Sequence, residues 1–394
     1  MRTVGTKAMG IRTPIIKSKD NLAEIVVQSL LESSAAEGFS FHDRDVVGIT
    51  EAVVARAQGN YASVQDIAAC VRSIFPNGTV GILFPILSRN RFAVLLKGIA
   101  MGADKVVVQL SYPSDEVGNE LITREQLYSA DVDPYQLMDE ATFRKTFGNK
   151  VQHRFTGVDY ISYYKSLGTN IEVVLGSDPK SILTFTDQVI VADVHTRAMT
   201  KRIMQKQGAH AVCLDEILSS PVNGSGYHEE YGLLGSNKAT EDTVKLFPRN
   251  CQSFVEDVQR QLLEATGKHI EVMVYGDGGF KDPVGGIWEL ADPVVSPGFT
   301  EGLRGRPNEL KLKYLADNDY ADLQGEELKE AIQSAIRAKD DSGSLYNKME
   351  SEGTTPRQLT DLLGSLCDLV SGSGDKGTPI VLVQGYFDNY ATQE

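Results

Sequence analysis

Near the C-terminus, Ser371-Gly372-Ser373-Gly374-Asp375-Lys376-Gly377-Thr378-Pro379 leads into an apolar stretch. Glycines let the backbone approach a ligand closely and turn successive N–H groups inward, as a phosphate requires, and Lys376 adds a positive charge. This is not a Walker A loop, because the Gly-Lys-Ser/Thr ending is missing and a strand follows where a helix should. A flexible helix-to-strand connection has the same composition. A second run, Tyr275-Gly276-Asp277-Gly278-Gly279-Phe280-Lys281-Asp282, also follows an apolar stretch. A carboxylate at a strand's C-terminal end, among glycines, is a usual place for a divalent-cation ligand. Asp277 is the foremost candidate and Asp282 is close in sequence; a tight turn in which the Asp caps its own backbone is the competing reading.

Two further segments precede these. In Gly10-Ile11-Arg12-Thr13-Pro14-Ile15-Ile16-Lys17, Thr13 and the neighbouring backbone could meet a base or phosphate, or form an ordinary loop. In Thr50-Glu51-Ala52-Val53-Val54-Ala55-Arg56-Ala57-Gln58-Gly59, Glu51 at a strand end could hold a metal or ligand. Arg56 could clamp a phosphate or serve as a surface cation. Asp115, Glu116 and Asn119 close another strand-to-loop transition. His195 ends a strand too, where a structural role is the simpler reading. The chain has no HExxH, no GxSxG and no CxxC, so zinc-peptidase, serine-hydrolase and thiol-redox chemistries lack their signatures.

The elements that must position these residues are short β-branched runs alternating with amphipathic segments. Strands are predicted over Asp45–Thr50, Thr79–Ile86, Lys105–Leu110, Ile171–Leu175, Gln188–Val194, Ile270–Tyr275 and Pro379–Gln384. Helices are predicted over Asn21–Glu32, capped by Asp20 or Asn21, over Ser253–Thr266, stopped by Gly267, and over Thr355–Ser371, opened by Pro356 and closed by Gly372. Tyr112–Tyr164 is polar and aromatic with few strand signals. Asp317–Gly353 reads as exposed helix plus loop. Trp288, the single Trp, is expected in the core. The class is mixed α/β.

A chain of 394 residues allows two or three domains at roughly 100–200 residues each. Its formal charge of −14 argues against a broad electrostatic grip on nucleic acid. Four scattered cysteines, no signal-peptide pattern and no apolar run near the ~18 residues of a membrane helix point to a reducing cytoplasm.

The order and spelling of the segments resemble the coenzyme F-420-0:L-glutamate ligase (γ-glutamyl ligase) family. The resemblance runs through GIRTPIIKSKDNLAEIV (10–26), DVVGITEAVVARAQGN (45–60), LLEATGKHIEVMVYGDGG (262–279) and GSGDKGTPIVLVQG (372–385). It implies a ligase that joins L-glutamate to a carboxylate acceptor through an acyl phosphate. GTP would be the co-substrate, Mg2+ or Mn2+ the cofactor and K+ an additional cation. It also implies mixed sheets with flanking helices in a two-part core, assembled as an intertwined homodimer. The nucleotide contacts would fall on Thr13, Pro14, Ile15, Ile16, Glu51, Ala52, Arg56 and Asn119, and on the loop Gly372, Ser373, Gly374, Asp375, Lys376 and Gly377. The metal contacts would fall on Asp115, Asp277, Gly278, Ser373 and Asp375.

This sequence departs from the family pattern at three of these positions. Arg56 stands where the family has Lys, Gly278 where it has Thr, and Ser373 where it has an acidic ligand, with Asp375 two residues on as a substitute. Residues from about 121 to 245 have no counterpart in shorter members. The expected division is therefore an N-terminal core part over 1–120, an inserted region over 121–245, and a C-terminal core part with the metal and nucleotide loops over 246–394. The same fold acting on another acid, folate-like or small, and a non-catalytic nucleotide- or metal-binding protein are the alternative readings.

Overall fold

The computed structural model describes residues 3–154, 156–276, 292–339, 345, 349–351, 357–371 and 375–392. The strands among them are β1 (Lys7–Ile11), β2 (Val46–Thr50), β3 (Tyr61–Ser63), β4 (Thr79–Leu83), β5 (Lys105–Leu110), β6 (Met138–Asp139) and β7 (Ile171–Leu175). They continue with β8 (Gln188–Val191), β9 (His210–Cys213), β10 (Asn237–Lys238), β11 (Thr243–Lys245), β12 (Glu271–Tyr275), β13 (Gly298–Phe299) and β14 (Ile380–Gln384).

One mixed sheet has the order β1-β14-β2-β12-β13 and draws on both ends of the chain. Its strands are apolar on both faces because both faces are covered. Val47, Ile49, Val272, Val274 and Leu382 pack with Val26, Leu30, Val255 and Val258 of the helices Leu22–Glu37 and Cys251–Thr266. The alternate residues Val46, Met273, Tyr275, Val381 and Val383 pack with Leu363 and Cys367 of the helix Leu359–Ser371. Period-2 alternation thus splits each strand between two helical layers.

The second sheet has the order β6-β7-β5-β4-β8-β9. All neighbours run parallel except the antiparallel edge pair β6–β7. The helices Val64–Ile74 and Phe92–Gly102 pack over the face that holds Val80, Ile82, Val106 and Val108. The helix Arg197–Lys206 packs through Met204 over the face that holds Val107, Val189 and Val191. The first two helices touch closely because Gly98 and Gly102 have no side chain. A Cβ on Gly98 would lie 2.8 Å from Ile67, and one on Gly102 would lie 2.6 Å from the Ala68 carbonyl oxygen. A small sheet, β10-β11-β3, lies between the two in sequence and carries Lys245.

The parallel sheet takes strands from both sides of the expected division at 120/121: β4 and β5 pair with β7 and β8. Residues 121–245 therefore complete a sheet that begins at Thr79, which alternation within single strands could not reveal. The segment after β2, given no element in the sequence reading, is a helix, Glu51–Gln58, closed by Gly59 at φ 63°. The predicted helix from Asn21 extends to Glu37, with the Asn21 side chain capping the Glu24 N–H. The predicted C-terminal helix is described from Leu359; Pro356 and Gly372 lie outside the described residues.

Candidate functional site

Pairing registers bring four chain connections to one edge of the mixed sheet. Ile380, at the start of β14, pairs with Ile11 at the end of β1 and with Ile49 near the end of β2. Tyr275, at the end of β12, pairs with Thr50. The loop after β1, the helix that opens at Glu51, the end of β12 at Gly276 and the residues just before β14 therefore share this edge.

Backbone and side-chain bonds tie the loops together. The Thr13 N–H donates to the Gly377 carbonyl at 3.3 Å, and the Thr50 N–H to the Pro379 carbonyl at 3.0 Å. Arg56 Nε donates to the Ile16 carbonyl at 2.6 Å, and the Lys19 N–H donates to the Ala57 carbonyl at 2.7 Å. The Thr378 hydroxyl donates to the Ser371 carbonyl at 2.8 Å.

Of the sequence candidates, Thr13 thus meets Gly377, Arg56 meets the Thr13 loop at Ile16, Glu51 follows Thr50 on the same edge, and Asp375 and Lys376 are exposed on the Gly377 loop. Ile16 is buried in the core and anchors the N-terminal loop, whereas Ile15 is 82% exposed. Pro14 is exposed, and its carbonyl accepts the Thr13 hydroxyl. Ala52 is half-buried beside Glu51. Asp277, Gly278, Asp282, Trp288, Gly372, Ser373 and Gly374 lie outside the described residues.

The edge also holds charges that single-strand reading missed. Glu51 is buried, and Lys245 Nζ lies 3.3 and 3.4 Å from its two carboxylate oxygens. Arg91 Nη1 lies 2.6 Å from Asp292, which is 4% exposed. Burial drives the Glu51 carboxyl above its ordinary pKa. The Lys245 charge opposes that rise, Asp292 adds to it, and Arg91 opposes it. Residues from four separate regions of the chain therefore form one electrostatic group. Gly276 allows it to close on β12, since a Cβ there would lie 2.1 Å from an Asp292 carboxylate oxygen. Sequence had singled out only Glu51 of this group, as a possible metal or ligand contact, and gave no sign of its partners.

Beneath this edge, the Tyr275 hydroxyl is buried, and among the described residues only the Ser371 side chain interacts with it. Burial raises its pKa well above that of a free phenol.

Asp115 and Asn119 stand elsewhere, on the loop after β5 of the parallel sheet. Asp115 is buried. It accepts the N–H groups of Leu87 at 2.8 Å, Val117 at 3.1 Å and Asn119 at 2.8 Å, and the Asn119 side-chain amide at 2.7 Å. These donors fill the four acceptor positions of a carboxylate, so a cation there would have to displace one of them. Burial raises the Asp115 pKa, and the four donors act against it. Asn119 is held in turn by His153 Nε2 at 3.1 Å.

On the same edge Glu116 accepts the N–H groups of Val194 and His195. His195 therefore contributes its backbone there. Cys213, Asp215 and Glu216 lie within 4.8 Å of one another. Asp215 is engaged by Arg197 and Glu216 by Lys201, and burial pushes the Cys213 thiol up to about 12. That combination does not suit a metal, which needs free carboxylates and a thiolate.

Fold and edge together define a mixed α/β protein whose candidate-site loops come from widely separated parts of the chain at one sheet edge. The chain belongs to the F420-0:gamma-glutamyl ligase family, whose model matches residues 10–385. No curated protein matches the chain. Among solved structures, the biosynthetic arginine decarboxylase of Campylobacter jejuni aligns at 8% identity over 92% of this chain and 67% of that one. Its TM-score is 0.16, too low to inform the fold. Among the described residues, no helix is long and apolar enough to cross a membrane.

Proposed function

We propose that the protein joins L-glutamate to the carboxylate of an F420-0-type acceptor, using GTP and a divalent cation. A carboxylate is a poor acyl donor. In this reading the γ-phosphoryl group passes to the acceptor carboxylate and GDP leaves. The glutamate amine then attacks the acyl carbon, and phosphate departs as the amide bond forms. Phosphoryl transfer depends on positioning and on neutralising crowded oxygens.

The observation that carries the reading is the joining of the Thr13 loop to the Gly377 loop beside Glu51 and Arg56, in a member of a ligase family. Thr13, Lys376 and the Gly372–Gly377 loop would hold the phosphates, with Arg56 bracing the N-terminal loop through the Ile16 carbonyl. The oxygen ligands Asp375 and Asp277 suit a hard cation such as Mg2+ or Mn2+. Exposure of Asp375 leaves its carboxylate accessible. Glu51 is engaged by Lys245 and would act on the nucleotide side as a fixed charge. The cation's contribution would be to neutralise and orient the phosphate oxygens.

Incubation with GTP, MnCl2, L-glutamate and F420-0 should yield GDP, phosphate and a product heavier by one glutamyl residue. Metal-replete protein that binds no nucleotide in calorimetry would overturn the proposal.

A further inference from the structure

Three consecutive residues just before β14 each bond to a different part of the fold. The Gly377 carbonyl accepts the Thr13 N–H at 3.3 Å, on the loop after β1. The Thr378 hydroxyl donates to the Ser371 carbonyl at 2.8 Å, at the end of the helix Leu359–Ser371. The Pro379 carbonyl accepts the Thr50 N–H at 3.0 Å, where the helix Glu51–Gln58 opens. The first and last of these bonds use main-chain carbonyls, which every residue supplies. The middle one uses a side-chain hydroxyl, so it alone depends on the residue type at its position.

Both ends of that bond are held. A β-branched side chain has few χ1 choices, and Thr378 lies close against Gly10 of β1. A Cβ on Gly10 would stand 3.0 Å from Thr378 Cβ and 3.1 Å from its methyl carbon. Ser371 is buried, its hydroxyl donates to the Asp368 carbonyl at 3.2 Å, and its side chain meets the Tyr275 hydroxyl. Gly377 is the opposite case. It is exposed, at φ 67°, and a Cβ there would meet nothing within 4 Å. No side chain fixes its orientation, which is therefore set by the bonds on either side of it.

We propose that Thr378 is a positioning residue for the nucleotide: its hydroxyl, held by the Ser371 carbonyl, fixes where Lys376 and Gly377 stand at the edge and so sets the affinity for GTP. Seven positions separate the two bonded residues. A bond across that interval keeps the ends of the intervening chain together, so less ordering is left for binding to supply. The hydroxyl does this without touching the ligand. The proposal rests on the ligase reading for the identity of the ligand, but the positioning is measurable without one.

Calorimetry of the whole protein with GTP and MnCl2 compares two variants. Thr378→Val keeps the branched shape and loses the hydroxyl; Thr378→Ser keeps the hydroxyl and loses the methyl. Thr378→Val should weaken GTP about three- to tenfold, the worth of one hydrogen bond. Thr378→Ser should stay within about twofold of wild type. In turnover, Thr378→Val should raise KM for GTP and leave KM for glutamate unchanged, whereas a general loss of structure would move both. Circular dichroism checks folding. Gly10→Ala, whose methyl would crowd Thr378, is the second variant if Thr378→Val fails to fold, and it should weaken GTP as well. Hydrogen exchange without nucleotide reads the positioning directly: the Thr13 amide should exchange at least about threefold faster in Thr378→Val than in wild type or Thr378→Ser. Unchanged GTP affinity in a folded Thr378→Val protein, equal weakening by both substitutions, or unchanged Thr13 exchange overturns the proposal. Wild-type protein that binds no GTP sinks the ligase reading, and the exchange comparison then decides the positioning role by itself.

Discussion

Replacing Lys245 with Met should destabilise the protein in a strongly pH-dependent way. The Lys245 ammonium and the Glu51 carboxylate are 3.3 Å apart, with side chains only 12% and 6% exposed. Removing one partner of a buried ion pair costs about 3–5 kcal/mol, because the other charge is left without compensation. Glu51 has an alternative, since burial already raises its pKa; in the variant it can take up a proton. The penalty is then capped by the work of protonating a carboxyl whose ordinary pKa is 4.5. That work is about 1.4 kcal/mol for each pH unit above that value. The expected loss is about 4–5 kcal/mol near pH 8 and about 1–2 kcal/mol near pH 5.5.

Urea unfolding of wild type and variant at both pH values measures this difference. A Glu51→Gln/Lys245→Met double variant should recover at least about 2 kcal/mol at the higher pH, because no charge is stranded. A penalty that is the same at both pH values, or a double variant no more stable than the single, would refute the idea that Glu51 is a buried charge neutralised by Lys245.

Three further outcomes follow from the same geometry. Tyr275→Phe removes a buried hydroxyl that meets only the Ser371 side chain among the described residues. Urea unfolding should change by less than about 1 kcal/mol; a larger loss would show that the fold depends on that hydroxyl. Asp115→Ala strands four donors and should cost about 3 kcal/mol or more in urea unfolding; an unchanged midpoint would free Asp115 for the metal role. Burial raises the pKa of Asp193 and, aided by the Asp193 charge, of Glu116. A carboxyl whose folded pKa exceeds its unfolded value contributes stability below the unfolded pKa and loses it as pH rises toward the folded one. Asp193→Asn should therefore flatten the decline in urea midpoint from about pH 4 upward relative to wild type.

Much of the mixed sheet was legible because its strands are short, β-branched and bounded by turns. Val46–Thr50, Glu271–Tyr275 and Ile380–Gln384 match their predicted runs to within a residue at either end. The resemblance assigned both the Thr13 and the Gly377 loops to the nucleotide, but their meeting depends on the pairing of β14 with β1, a strand the sequence reading did not predict. The helix Glu51–Gln58 was not legible, because eight residues carry barely two turns of periodicity and Val53 and Val54 look like strand. The charge group was hidden for a different reason. Glu51, Arg91, Lys245 and Asp292 are separated by 40 or more positions, and each alone looks like ordinary surface. Only tertiary contact shows that two of the acids are buried and matched. Asp115 carried the opposite lesson: an acid after a strand resembled a metal ligand, but its neighbours' N–H groups already occupy its oxygens.

The balance of that charge group bears on why the proposed reaction would need a cation. The chain carries a net −14, yet GTP, glutamate and the acceptor are all anions. Exposed charges beyond about 8–10 Å are largely screened at ordinary salt, so the total matters less than the groups at the edge. There, among the described residues, two half-buried cations face two buried carboxylates: Lys245 with Glu51, and Arg91 with Asp292. A group so matched holds little surplus positive charge for a triphosphate. Lys376 is exposed and works in high dielectric, where an ion contact is worth about 1 kcal/mol or less. On the proposed reading, the positive charge required by the crowded phosphate oxygens has to arrive with the nucleotide, as a divalent ion. Neither pair can relax without stranding a buried carboxylate, so both would stand as a fixed background beside that ion.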